Sequence, residues 1–356
     1  MSSDSSLAEG PQYPRSEPAE LGRPEEIADG VYWLRMPLDL TGLDHIILWL
    51  LRDGDGWTLV DTGMNSTRIR DHWDGVFEEW IGTAPVKRVI CTHFHPDHMG
   101  LAGWLCERSG APLWATRREW LFGRMLWLDA RETPPDWYLE HFRQLGFSEQ
   151  ARDAIRQGSF NSYRGMVSPI PEQVQAIRDG DDIVIDGAVW QVIVGNGHSP
   201  EHACLYCPAK GVMIAGDQIL PRITPHIGVY PSEPEANPLQ EYLDSLPRFR
   251  RVPDDTLVLP AHGLPFYGLH QRIGYLERHH DERLTRLEAF CDEPTRVLST
   301  LKVMFSRRLG PFEAFLGVNE ALAHLHCLIG RGRIAREQDD DGVWVYRRSD
   351  RRRDAA

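Results

Sequence analysis

The chain has 356 residues, 42% of them hydrophobic and 26% charged, with a formal net charge of −13. That length exceeds one minimal core and predicts a large domain with an appendage, or two domains. No apolar stretch approaches the roughly 20 residues that span a bilayer, which excludes helical membrane insertion, and the acidic balance disfavours general nucleic-acid binding because it repels phosphates.

Residues 1–26 are rich in Ser, Pro, Glu and Gly. They lack the basic start and apolar run of a secretion signal, so they predict a flexible lead and a cytoplasmic location. Strands are expected at 30–36 and 45–51, with Asp53-Gly54-Asp55-Gly56 as a hairpin turn into a third strand at 57–60. That strand ends at Asp61-Thr62-Gly63. An acid just past an apolar strand marks the edge of an active site or simply a turn, so Asp61 is a candidate supporting residue.

Residues 67–80 carry Ile69, Trp73, Val76, Phe77 and Trp80 at helical spacing. The apolar run 86–92 then delivers His93-Phe94-His95-Pro96-Asp97-His98, which crowds four potential metal ligands into six residues before a helix begins. Imidazoles 93 and 95 can converge on one cation while Asp97 and His98 turn toward a second, because metals such as zinc accept nitrogen and oxygen donors.

After a strand at 112–116, residues 117–174 are strand-poor and predicted largely helical, with Trp120, Phe122, Met125, Leu126, Trp127, Trp137, Tyr138, Phe142 and Phe160. These aromatics serve either as core or as the wall of an apolar substrate pocket. Strands resume at 182–185 and 190–194, the latter running into Gly195-Asn196-Gly197-His198-Ser199-Pro200-Glu201-His202. The six cysteines lie in apolar surroundings and read as reduced thiols. Cys204 and Cys207, in an expected strand, should point to opposite faces.

Residues 212–216 end at Asp217, and 256–261 end at His262-Gly263. Asp61, His93, His198, Asp217 and His262 therefore all follow apolar strands, and strands packed side by side would bring them to one edge. A linking helix is expected at 269–293, with His279 and His280 on a polar face. Residues 294–348 predict helices at 297–305, 313–317 and 319–329, then a wing-like hairpin of 332–335 and 343–346, with 349–356 as a tail. From Pro294 onward there are 12 Lys and Arg against 8 Asp and Glu, a weak basic surplus.

The assembled set is His93, His95 and His198 for one metal and Asp97, His98 and His262 for the other, with Asp217 bridging. A water between two such ions would lose a proton near neutral pH and become a bridging hydroxide nucleophile. Asp97 would orient it and pass a proton to the leaving group. Zinc is the default, with iron or manganese also compatible.

At these residues the chain resembles the metallo-β-lactamase superfamily, in the branch that includes glyoxalase II-like thioesterases, lactonases and ribonuclease-Z-like phosphodiesterases. The resemblance covers about 27–268 and implies an α/β fold, an αβ/βα sandwich with a dinuclear site along one edge and a helical insertion at 117–174. It implies the metal set His93, His95, Asp97, His98, His198, Asp217 and His262, with Asp61 supporting it and His202 structural. Phe94 departs from the diiron oxygen-reducing members, which place an acid between the first two histidines, so hydrolysis is expected over redox chemistry. The usual antibiotic-degrading forms are exported and lack a linked helical tail. Residues 294–348 resemble the winged-helix extension of the β-lactamase-like protein 2 group, a module that also serves in dimerisation or pocket covering and leaves a homo-oligomer open.

The resulting expectation is a dimetal hydrolase of a small ester or thioester, such as an acyl-CoA or lactone with an apolar portion. The alternatives are a phosphodiesterase or ribonuclease, and a non-enzymatic metal-binding regulator.

Overall fold

The computed structural model describes residues 10–40, 43–129, 131, 133–157, 162–305 and 307–349. The first sheet is built from β1 (Glu25–Ala28), β2 (Val31–Leu40), β3 (Leu43–Asp53), β4 (Gly56–Val60), β5 (Val86–Ile90), β6 (Leu113–Thr116) and β7 (Gln175–Ile177), adjacent in that order. The second contains β8 (Asp182–Ile185), β9 (Ala188–Gly195), β10 (His202–Cys207), β11 (Val212–Gly216) and β12 (Leu257–Pro260), ordered β12-β11-β10-β9-β8.

Period-two alternation sorts the strand residues into layers. Ile47, Trp49 and Leu51 of β3 face the second sheet and share a core with Trp190, Val192 and Leu205. Their neighbours Ile46, Leu48 and Leu50 turn outward onto Ile69 and Trp73 of the helix Thr67–Val76. On the far side, Ile193, Cys204 and Met213 pack with Tyr242 and Ile273 from the helices Pro238–Ser245 and Leu269–Phe290. The result is a helix-sheet-sheet-helix sandwich, the expected α/β architecture. Cys204 lies in the outer core and Cys207 between the sheets, and all six thiols are free.

β4 and β5 run parallel, as do β11 and β12, and β9 and β11 both oppose β10. The ends of β4, β5, β9, β11 and β12 consequently open on one side. The sheets are stitched there by the Ile47 amide donating to Ala261 O at 2.7 Å and the Ala203 amide to Thr92 O at 2.8 Å.

Several expectations change. The lead expected over 1–26 is fixed from Gln12 onward. Gln12 and Tyr267 exchange backbone hydrogen bonds, the Gly22 amide donates to Arg35 O, Ala19 is buried and β1 pairs with β2. Residues 1–9 lie outside the described residues, as do Phe160 and 350–356. Within 117–174 the described residues form the helices Arg117–Leu128, Asp136–Gln144, Glu149–Gln157 and Ser162–Met166, and β7 then extends the first sheet.

The C-terminal segment forms a third sheet of β13 (Thr295–Arg296), β14 (Ile334–Gln338) and β15 (Trp344–Arg348), ordered β13-β15-β14. The two helices expected at 313–317 and 319–329 are one, Pro311–Gly330. Gly317 and Asn319 flank the expected break. Both are instead packing positions: a Cβ on Gly317 would stand 3.0 Å from Leu309 and from Phe305, and Asn319 is fully buried. His280 is also not on a polar face. It is buried, with Nδ1 3.3 Å from His324 Nε2 on the C-terminal helix. Among the described residues, no helix is long and apolar enough to cross a membrane.

Candidate metal centre

β5 ends at Ile90, and the chain turns through Thr92 and His93 to the short helix Pro96–Met99, whose N-cap is His95. Proline suits this first helical position because the missing amide is unpaired there anyway. The turn places Asp97 and His98 on the helix while His93 and His95 precede it. Gly100 lets the neighbouring backbone close in, since a Cβ there would lie 2.2 Å from Pro96 O and 2.5 Å from Gly63 O. His198 depends similarly on Gly197, which has φ +94° and whose added Cβ would lie 2.3 Å from Pro238 O.

Two groups of side chains result. His93, His95, His198 and Asp217 offer ligand atoms within 4.8 Å of one another, and so do Asp97, His98 and His262. In the first group His93 Nε2 is 2.9 Å from His95 Nδ1 and 3.2 Å from His198 Nε2. Asp217 reaches both groups: Oδ2 is 3.4 Å from His198 Nε2 and 3.5 Å from His98 Nε2, and Oδ1 is 3.4 Å from His262 Nε2. Asp97 Oδ2 is 3.3 Å from His262 Nε2. All the sequence-selected residues thus converge.

The outer imidazole nitrogens are already committed. His198 Nδ1 donates to His226 O and His262 Nδ1 to His45 O, both at 2.8 Å, while His98 Nδ1 lies 2.8 Å from Asp61 Oδ2. Such partners fix each ring and leave Nε2 for a cation. Asp61 has φ +62°, a left-handed conformation that Asp tolerates better than most residues. There its carboxylate accepts the Thr92 amide at 2.8 Å and the Thr92 hydroxyl at 2.9 Å. His202 is structural: its Nε2 accepts the Asp217 amide at 3.1 Å.

The donor set fits a divalent cation. Buried His98 Nε2 and Asp217 Oδ1 have no hydrogen-bond partner, although buried polar atoms are normally satisfied. The electrostatics agree. Burial and the surrounding imidazoles hold His93 and His95 well below the usual histidine range, so both stay neutral donors. Burial alone would also lower His98, but Asp61, Asp97 and Asp217 outweigh it and raise the ring well above its ordinary value. Burial opposes ionisation of Asp217 too, yet His262 and His98 keep it a carboxylate. The site calls for positive charge.

Two cavities meet beside the first group. One, of about 540 Å³, is walled by Phe94, Phe122, Met125, Trp137, Tyr138 and Tyr230 and reaches His95. The other, of about 670 Å³, reaches His198 and carries Arg118, Glu233 and Glu241 toward its mouth. The aromatic segment is divided between core and cavity wall: Phe142 is core, whereas Phe122, Met125, Trp137 and Tyr138 line a cavity.

Sequence reasoning missed Thr92, the His226 carbonyl and Glu119. Glu119 is fully buried in the helix Arg117–Leu128. Burial pushes its carboxyl up to about 7, against donors that favour the ionised form. An acid in an apolar helix was the only sequence signal, and most such residues face solvent.

A family model described as "Metallo-beta-lactamase superfamily" matches residues 43–262, and one described as "Metallo-beta-lactamase-like, C-terminal domain" matches 284–349. The crystal structure of a beta-lactamase domain protein from Burkholderia ambifaria is 41% identical, with a TM-score of 0.88, and the match covers 95% of this chain and 98% of that one. A metallo-beta-lactamase family protein from Thermus thermophilus is 28% identical, with a TM-score of 0.76 over 91% of this chain and all of the other. An uncharacterized protein of Aquifex aeolicus (strain VF5) is 30% identical over 178 residues, half of this chain and 68% of that protein.

Proposed function

Because the chain belongs to the metallo-β-lactamase superfamily, we propose that it is a dinuclear metal-dependent hydrolase of a small ester or thioester with an apolar acyl portion. The observation that carries this reading is the position of Asp217 between two buried donor groups, beside an aromatic cavity. His93, His95 and His198 would hold one ion and Asp97, His98 and His262 the other, with Asp217 shared. Two divalent ions so held, zinc by default, supply an acidified water and a Lewis acid for the scissile carbonyl.

The chain's own residues do the rest. Phe122, Met125 and Trp137 take up the acyl portion and exclude water from that side. Asp97, whose Oδ2 lies 3.3 Å from His262 Nε2, accepts a proton beside the reacting centre and returns it to the leaving group. Asp61 keeps His98 oriented.

We read 27–268 as the catalytic domain, 269–293 as its linking helix and 294–348 as a winged-helix-like module. Ester cleavage is favoured over phosphodiester cleavage because the module's basic residues are largely neutralised. Arg296 pairs with Asp339, Arg307 with Glu313, Arg333 with Glu288, Arg336 with Glu235 and Arg347 with Glu337. Among the described residues of the module, little free positive charge is left for a phosphate backbone.

Acyl-thioester, lactone and phosphodiester reporters assayed on one metal-reconstituted preparation test this reading. Turnover of a thioester, ester or lactone that strengthens with acyl length supports it. Turnover of the phosphodiester alone overturns it.

A further inference from the structure

The helical insertion does more than wall the cavity. Phe94, between His93 and His95, has both of its backbone polar groups held by insertion side chains: its amide donates to Glu119 Oε2 at 2.9 Å, and its carbonyl accepts the Tyr163 hydroxyl at 2.7 Å. The other Glu119 oxygen serves the next ligand loop. Oε1 accepts the Ser199 hydroxyl at 2.7 Å and the Glu201 amide at 2.6 Å, directly after His198.

A single fully buried carboxylate thus ties the His93-Phe94-His95 turn to the His198 loop, two segments more than 100 residues apart in sequence. Charge-assisted hydrogen bonds of this kind are stronger than neutral ones, and a buried carboxylate is costly unless its acceptors are filled. None of the Glu119 contacts reaches Asp97, His98 or His262. Those residues are served by Asp61 through His98 and by the His45 carbonyl through His262.

We propose that Glu119 is a positioning residue that assembles one half of the metal centre, the His93, His95 and His198 half, with Tyr163 as its partner at Phe94. The proposal rests on the ligand assignment made under Proposed function. Its consequence is that this half takes from the insertion a support that the other half lacks, while Asp61 of the sandwich bonds His98 directly and reaches His93 only through the Thr92 hydroxyl, 3.0 Å from His93 Nδ1. Removing Glu119 should loosen one ion and spare the other.

The test is chelator-competition titration of Zn²⁺ into full-length wild type, Glu119→Gln, Glu119→Ala and Tyr163→Phe, with visible spectra of the Co²⁺-loaded forms. The Glu119→Gln substitution keeps the size of the side chain but turns an amide donor toward one of the amides that Glu119 accepts. Loss of a supporting partner of this kind weakens a metal site by about 10–100-fold. The expected result is two equivalents in wild type and, in Glu119→Gln, one equivalent weakened at least tenfold while the other stays within about twofold, with only part of the Co²⁺ spectrum altered. Tyr163→Phe should weaken the same equivalent less. Both affinities unchanged, or both reduced alike, would overturn the proposal. If Glu119→Ala does not fold, Glu119→Gln and Tyr163→Phe decide the matter. Wild type that binds fewer than two equivalents would instead count against the ligand assignment.

Discussion

The two halves of the candidate centre are supported in different ways. Around His98 the support is local and belongs to the sandwich: Asp61 at the end of β4 takes the Thr92 amide, the Thr92 hydroxyl and the His98 ring. Around His93, His95 and His198, apart from the Thr92 hydroxyl 3.0 Å from His93 Nδ1, it comes from an insertion placed between β6 and β7, and from a loop that leans on the C-terminal helix. That loop supplies the His226 carbonyl to His198, and its Val229 amide donates to Asn319 O at 3.0 Å. Both cavities open beside this second half. The sandwich therefore fixes the half farther from the cavities, while segments added to it supply most of the support for the half beside them.

Asp217→Ala should erase the distinction, since Asp217 faces both halves. Both ions should be lost and hydrolysis should fall by more than the roughly 100-fold that a supporting residue commands, read as metal content and kcat/KM. Asp61→Asn sharpens it. Asn also tolerates the left-handed backbone but supplies one acceptor where two are used, so the equivalent that Glu119→Gln spares should weaken by about 10–100-fold, and the other less, because Asp61 reaches His93 only through the Thr92 hydroxyl.

Acid should separate the halves as well. Burial, then repulsion from His324 and His279, lowers His280 to about 2, and burial lowers His324 to about 4 although Glu320 opposes it. Both rings are neutral in the fold but protonate near 6.5 in the unfolded chain. Stability is therefore present above about pH 6.5 and is lost as pH falls, at up to about 1.4 kcal/mol per pH unit for each ring. Urea midpoints measured from pH 7.5 to 5 should fall, and a His280→Leu/His324→Leu variant should flatten the profile. The His198 half, which rests on this helix, should loosen first.

The smallest effect tests the cavity alone. Trp137 is 49% exposed at the rim. Trp137→Ala should lower kcat/KM for long-acyl substrates by roughly threefold to tenfold and leave short ones and both ions unchanged, in line with the apolar area removed.

What could be read from the sequence follows the same division. Runs of alternating or continuous apolar residues ending in Asp61, His93, His198, Asp217 and His262 were legible because strand periodicity and ligand chemistry coincide there. Glu119 was not, because its role comes from burial against two distant loops, which no local spacing encodes. The three-residue β7 has too little pattern to mark a strand, and its place in the sheet comes from pairing with β6. His280 looked polar by residue type, and the last helix was expected to break between Gly317 and Asn319. Tertiary packing buries His280 and Asn319 and closes on Gly317.

The most direct measurement is the metal content of purified, reconstituted protein. Two equivalents of divalent metal per chain, reduced by His95→Ala, is the expected result. Fewer than one equivalent, unchanged by His95→Ala, would contradict the dinuclear centre and every catalytic role assigned to it.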